Sequence, residues 1–257
     1  MSRKNCFDRS HFVLYFPFFV IGMVFCNNSD ASSGRYIVNN YVGTIGKYPV
    51  HLSIQSYDFG KDVNIEGSYY YDRHRAPIAL YGKEVSGVIE LCEAATKKDF
   101  EKYIASGDKF DLSKCPLKIT KNGQELNGEW RGSKRKLDVT LKNVSSMDQT
   151  SIVSENGTVE IPFWGQTDKR SFIGVYEKDG ADISINKIKV LDKTNGNVIQ
   201  VITPQKQECE FGFYMTSIYQ NVEGFNNNSI YLNCYSTNAD VIVDYTFDND
   251  KYVERKE

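Results

Sequence analysis

From residue 40 onward, apolar and polar residues alternate with a period of two. Val50, Leu52 and Ile54 interleave with His51, Ser53 and Gln55, and Val63, Ile65, Gly67, Tyr69 and Tyr71 with Asn64, Glu66, Ser68 and Tyr70. Leu137, Val139 and Leu141 alternate with Asp138, Thr140 and Lys142, and the pattern returns at Ile230, Leu232 and Cys234 and at Val241, Val243, Tyr245 and Phe247. A strand sends successive side chains to opposite faces, so each run predicts one face in a core and the other toward water. Seventeen tyrosines and 15 phenylalanines suit such half-buried pleated surfaces. Between the runs, Asn122-Gly123, Asn156-Gly157, Asp179-Gly180 and Asn195-Gly196 offer the positive φ that tight hairpins need. The expected fold is mainly β, antiparallel, with barrel- or sandwich-like units.

One segment departs from this period. Thr96 is placed to cap a short helix near 97–106, with Phe100, Tyr103 and Ile104 on one face, Asp99 at its third position and Gly107 just past its end. Farther on, the polar stretch 143–157 interrupts the alternation. It suggests a boundary or long loop between an N-terminal β unit, 35–143, and a C-terminal one, 158–257. No fixed-period repeat relates the two halves.

The start of the chain changes how the cysteines are read. Arg3, Lys4 and Arg9 precede an apolar run, Phe12–Phe25, and Ser29-Asp30-Ala31 offers small residues before a cut, so residues 1–31 read as a signal peptide. The run is short and broken by Pro17, a poor bilayer span, although an N-terminal membrane anchor is the alternative. Cys26 follows the bulky Phe25, which fits lipid attachment badly. Export to a periplasmic or secreted location leaves Cys92, Cys115, Cys209 and Cys234 in an oxidising compartment. The favoured pairing is Cys92–Cys115 with Cys209–Cys234, since each then closes a loop within one half. A zinc site is disfavoured by the lack of a C-x-x-C pair.

Charge and motifs narrow the function classes. Lys and Arg total 31 against 33 Asp and Glu, a net charge of −2, so no global field draws the chain to nucleic acid or an anionic membrane. No serine-hydrolase elbow, zincin helix, phosphate-binding loop, dinucleotide fingerprint or calcium loop is present, and no cofactor or metal is expected. His51 and His74 are the histidines left after processing, and His51 falls on the polar face of a strand. Glu90 and Glu93 point to opposite faces of theirs and make a poor catalytic pair. Two basic tips carry the candidate ligand contacts. In Tyr69-Tyr70-Tyr71-Asp72-Arg73-His74-Arg75, the residues Tyr70, Arg73 and Arg75, with Tyr81 beyond, set cations beside aromatic faces; Lys134 and Arg135 form the second, after Trp130, whose parity places it in a core.

Gly43-Thr-Ile-Gly-Lys-Tyr-Pro-Val50, Gly67-Ser-Tyr-Tyr-Tyr71, Pro77-Ile-Ala-Leu-Tyr-Gly82, Ile89-Glu-Leu-Cys-Glu93 and Gly128-Glu-Trp130 occur in that order within about residues 41–142. Together they resemble a loose group of exported bacterial β-rich proteins of unknown function. The resemblance implies β architecture and a periplasmic or surface location, and it transfers no catalytic residue. The expected function is therefore a non-enzymatic binding or inhibitor-like module of the envelope, with a protein or glycan as partner. The alternative is a carboxylate-based hydrolase acting on a cell-wall or sugar polymer.

Overall fold

The structure is a computed structural model that describes residues 36–57, 64–94, 99, 115–204, 219, 222–226, 228–234 and 241–255. Residues Gly34–Glu257 form one compact unit. Its first sheet holds β1 (Tyr36–Ile45), β2 (Tyr48–Tyr57), β3 (Ile65–Tyr71), β4 (Ile78–Val85), β5 (Val88–Ala94), β6 (Leu117–Asn122), β7 (Glu125–Arg131), β8 (Lys136–Met147) and the short β9 (Ile152–Ser154). Each strand pairs antiparallel with the next, and β1 also pairs with β8, so eight strands close into an up-and-down barrel with β9 added beside β8. Closure leaves the eight strands no free edge. β10 (Thr158–Gln166), β11 (Arg170–Asp179), β12 (Asp182–Asp192) and β13 (Val198–Ile202) make a second antiparallel sheet. β14 (Val222–Asn226), β15 (Ser229–Cys234), β16 (Val241–Asp248) and β17 (Lys251–Glu254) make a third.

The period-two pattern explains the barrel. Val50, Leu52 and Ile54 of β2, Ile65 and Tyr69 of β3, Ile89 and Leu91 of β5 and Val139 and Leu141 of β8 all point inward and are buried. The interior is thus a packed core, not a ligand-holding lumen. Gly67 and Gly128 take inward positions where a Cβ would run into the backbone carbonyls of Ser53 and Lys118, so only glycine lets neighbouring strands coil this closely. The second and third sheets face each other as a sandwich over Ile161, Phe163, Phe172, Ile188, Ile230, Leu232 and Tyr252. At one margin the Gln200 side chain on β13 substitutes for a backbone rung: its Nε2 donates to Tyr252 O, and its Oε1 accepts from Tyr252 N, both at 2.7 Å.

Three expectations are corrected here. First, the stretch 143–157 is not one long loop, although the second sheet does begin just after it, at Thr158. It completes β8, forms β9 and turns at Gly157 (φ 68) into β10. The alternation fails there because a bulge shifts the β1–β8 register between Asn40 and Tyr41, pairing Asn40 with Ser145 but Tyr41 with Asn143. Second, part of the polar face of β1–β3 does not meet water. Register aligns Ser68, Ser53, Asn40 and Ser145 in one row across β3, β2, β1 and β8, and all four are buried. Third, Tyr81 is not a surface ring, as described below. The expected helix near 97–106 lies outside the described residues, except Asp99, which is helical.

β10 lies along the covered face and is held by reciprocal side-chain bonds. Asn40 Nδ2 donates to Glu160 O (2.7 Å) and Ser68 Oγ to Pro162 O (2.8 Å), while Trp164 Nε1 donates to Gly67 O (2.8 Å) and Gln166 Nε2 to Pro77 O (2.8 Å). Within the row, Tyr219 O–H donates to Ser53 Oγ (2.9 Å), which donates to Asn40 Oδ1 (2.5 Å), and Asn40 Nδ2 reaches Ser145 Oγ (3.1 Å). Every member has partners, so a polar row tolerates burial that unpaired hydroxyls would not.

Candidate functional site

An up-and-down barrel gathers alternate connections at the same end. The β1–β2 turn (Gly46-Lys47), the β3–β4 turn (72–77) and the β7–β8 turn (132–135) therefore surround one mouth. Topology thus unites the two basic tips that are about 60 residues apart in sequence. Arg73, Lys134 and Arg135 are exposed, as is Lys47, whose Nζ lies 5.7 Å from the centre of the Tyr48 ring. Arg75 departs from its neighbours. Its φ is 50°, and its guanidinium lies against Gly196 in the β12–β13 turn, so it braces the barrel to the sandwich.

Inside the mouth, inward parity continues past the apolar core into polar and aromatic groups. Ile89 and Leu91 of β5 are followed, two residues on, by Glu93. Glu93 Oε1 accepts from Tyr69 O–H (2.6 Å) and from Trp130 Nε1 (2.7 Å). Both of these bonds fall on Oε1. Tyr69 also bonds the Tyr71 hydroxyl, and its ring meets the Tyr71 ring edge-on at 5.4 Å. Tyr71 in turn meets Tyr48 edge-on at 6.1 Å, and Tyr48 is 39% exposed. A run of rings thus leads from solvent to a carboxylate. Burial, and then the nearby Glu93 charge, push the Tyr69 phenol far above its ordinary range, so it stays a donor. The Cys92–Cys115 disulfide ties the end of β5 to the start of β6, fixing the strand that presents Glu93; its Cα atoms are 4.2 Å apart. Cys234 is also disulfide-bonded, and Cys209, its expected partner, lies outside the described residues.

Tyr70 points out of the barrel instead, toward a groove of about 360 Å³ between the barrel and β9–β11. It stacks on His51 of the neighbouring strand, with ring centres 5.0 Å apart and planes 13° from parallel. His51 Nδ1 donates to Asp72 Oδ1 at 2.8 Å. Burial and then the charges of Asp72 and Glu160 raise the Tyr70 pKa, with Arg75 opposing them. Tyr81 is 4% exposed and packs with Ala79, Cys92 and Ala94. Burial and the Asp99 charge push its phenol up to about 12.

The sequence reading thus placed Arg73, Lys134 and Arg135 on the surface, and it assigned Tyr69 and Tyr71 to the face opposite Tyr70. It missed Glu93 as the centre of a hydrogen-bonded cluster. The signal was available: a carboxylate in the inward register of Ile89 and Leu91 is out of place in a core unless it is bonded or functional. Among the described residues no group of three or more His, Cys, Asp or Glu side chains is arranged to hold a metal ion, and no helix is long and apolar enough to cross a membrane. Comparisons with known protein families, curated proteins and solved structures find no match for this chain.

Proposed function

We propose that this chain is an exported, non-enzymatic binding module of the bacterial envelope, periplasmic or secreted, that engages its partner through the mouth of the barrel. The observation that carries the reading is the convergence of exposed Lys47, Arg73, Lys134 and Arg135 with Tyr48, Tyr71 and Glu93 at one end of a rigid closed sheet. A rigid scaffold presenting loops is the usual platform for binding. The leader-like start and the Cys92–Cys115 disulfide support an oxidising destination.

The hydrolase alternative would draw on Asp72 and Glu160, whose charges both reach Tyr70. Each is already engaged, Asp72 by His51 at 2.8 Å and Glu160 by Lys189 at 2.5 Å, which favours binding over acid–base chemistry. The test compares the mature protein with an Arg73→Ala/Lys134→Ala/Arg135→Ala variant on immobilised envelope glycan and protein fractions. Capture falls at least about tenfold while Tm stays within about 2 °C, since exposed substitutions cost little stability. Unchanged capture by the triple variant would contradict the reading.

A further inference from the structure

Beside the polar row that β10 seals runs a second row. Two positions away on each strand, Tyr70, His51 and Val42 stand in register across β3, β2 and β1. β10 covers the first row, where Pro162 O and Glu160 O accept from Ser68 and Asn40, and along the second lies the groove of about 360 Å³. We propose that this groove, apart from the mouth, is a binding site for a short neutral saccharide. Its volume falls within the roughly 300–1,000 Å³ of small-ligand pockets.

Hydrogen-bond chemistry selects the occupant. Among the described residues that line the groove none is Lys or Arg, while Glu155 and Glu160 carry negative charge, so an anionic ligand is disfavoured. A cation gains little either, because Lys189 meets Glu160 at 2.5 Å and His51 meets Asp72 at 2.8 Å. A hydroxyl both donates and accepts, which matches the mixture in the β9–β10 turn: the Glu155 carboxylate accepts, and the Asn156 amide does both. Ser154 lines the groove beside them, and its Oγ is buried without a hydrogen-bond partner. A ligand hydroxyl there removes the cost of that orphaned group. With Nδ1 donating to Asp72, His51 keeps Nε2 as a further acceptor. Val42 and Val144, the latter 48% exposed, give apolar contact to the C–H side of a sugar ring.

The chain holds three histidines, His11, His51 and His74, and imidazole signals in a ¹H–¹⁵N spectrum separate the groove from the mouth. His51 lines the groove, whereas His74 is exposed in the β3–β4 turn. The full protein is titrated with maltose and N,N′-diacetylchitobiose as neutral probes, digalacturonate as an anion and spermidine as a cation, and His51→Gln assigns the His51 signal. The expected result is a shift of that signal by at least one neutral disaccharide, with His74 unmoved and at least about tenfold weaker binding of both charged probes. Ser154→Ala weakens the disaccharide at least about fivefold without lowering Tm, since the hydroxyl it deletes has no partner in the protein. Glu155→Gln weakens it at least about fivefold as well. A His51 signal silent to both disaccharides, a preference for either charged probe, or undiminished binding by either variant would overturn the inference. Movement of His74 in place of His51 would overturn it too, by assigning the sugar to the mouth. Capture by the triple tip variant tests the mouth separately.

Discussion

On the outside of the barrel, Ser68, Ser53, Asn40 and Ser145 form a polar row whose hydrogen bonds all close within the protein. At its mouth, Glu93 is held just as firmly by Tyr69 and Trp130, both through Oε1. Both are polar groups facing a packed region, and both are fixed by neighbouring strands. The row joins one part of the molecule to another, whereas the mouth cluster joins neighbouring strands of the barrel through one carboxylate oxygen. The two clusters differ in reach: one ties the barrel to the second sheet, the other stays within the barrel end.

The comparison is broken most severely at Asn40. Asn40→Leu keeps the side chain's size but removes the bonds it makes to Ser145 Oγ and the Glu160 carbonyl and the acceptor of the Ser53 hydroxyl, which should cost about 2–4 kcal/mol in urea denaturation. A loss under about 1 kcal/mol would mean that the row is not a saturated joint.

Raising the pH tests both regions together. Burial raises the Tyr219 phenol in the row well above 10.0, and Tyr69 at the mouth is raised by burial and then by the Glu93 charge. Tyr41, Tyr81 and Tyr245 are pushed up to about 12. A raised phenol stays neutral in the folded chain while the unfolded chain ionises near 10, so stability is full below that pH and lost above it. The urea midpoint should therefore drop as the pH rises past about 10. Glu93→Gln removes the charge that opposes ionisation of Tyr69 and leaves Tyr219 as it was. At neutral pH that substitution should cost less than about 1 kcal/mol, because the amide oxygen still accepts both bonds.

The smallest effect belongs to the bare side of the barrel. Thr140→Ala on β8 should change stability by less than about 0.5 kcal/mol, since Thr140 faces solvent. A cost like that of Asn40→Leu would erase the distinction between the covered and bare faces.

The strands themselves were legible in the sequence, because alternation such as Val50, Leu52 and Ile54 records which face is buried. The turn glycines were legible too: Gly123, Gly157, Gly180 and Gly196 have φ of 63°, 68°, 64° and 76°, and all but Gly157, which leads from the first sheet into the second, turn hairpins between paired strands. What lay on the polar faces was not legible from alternation alone. A hint lies in side-chain type: the covered row is made of serines and asparagine, while the bare outer positions are Lys118, Glu129, Arg131, Asp138 and Lys142. Small neutral groups can be saturated under another sheet, whereas charged ones resist burial. Arg75 was misread because its contact, Gly196, is about 120 residues away and local sequence holds no record of it. The convergence of Arg73 with Lys134 and Arg135 was hidden likewise, since it depends on strand count and closure.

The contrast between joint and mouth is tested most directly by hydrogen exchange of the two indole N–H groups in one sample. Trp164 donates to Gly67 O beneath the sandwich and stacks on Tyr219 with planes 16° from parallel, while Trp130 donates to Glu93 at the mouth. The account predicts that the Trp164 proton exchanges at least about tenfold more slowly than the Trp130 proton, since its release needs the sandwich to lift. Equal rates, or slower exchange at Trp130, would contradict a joint that is closed more tightly than the mouth cluster.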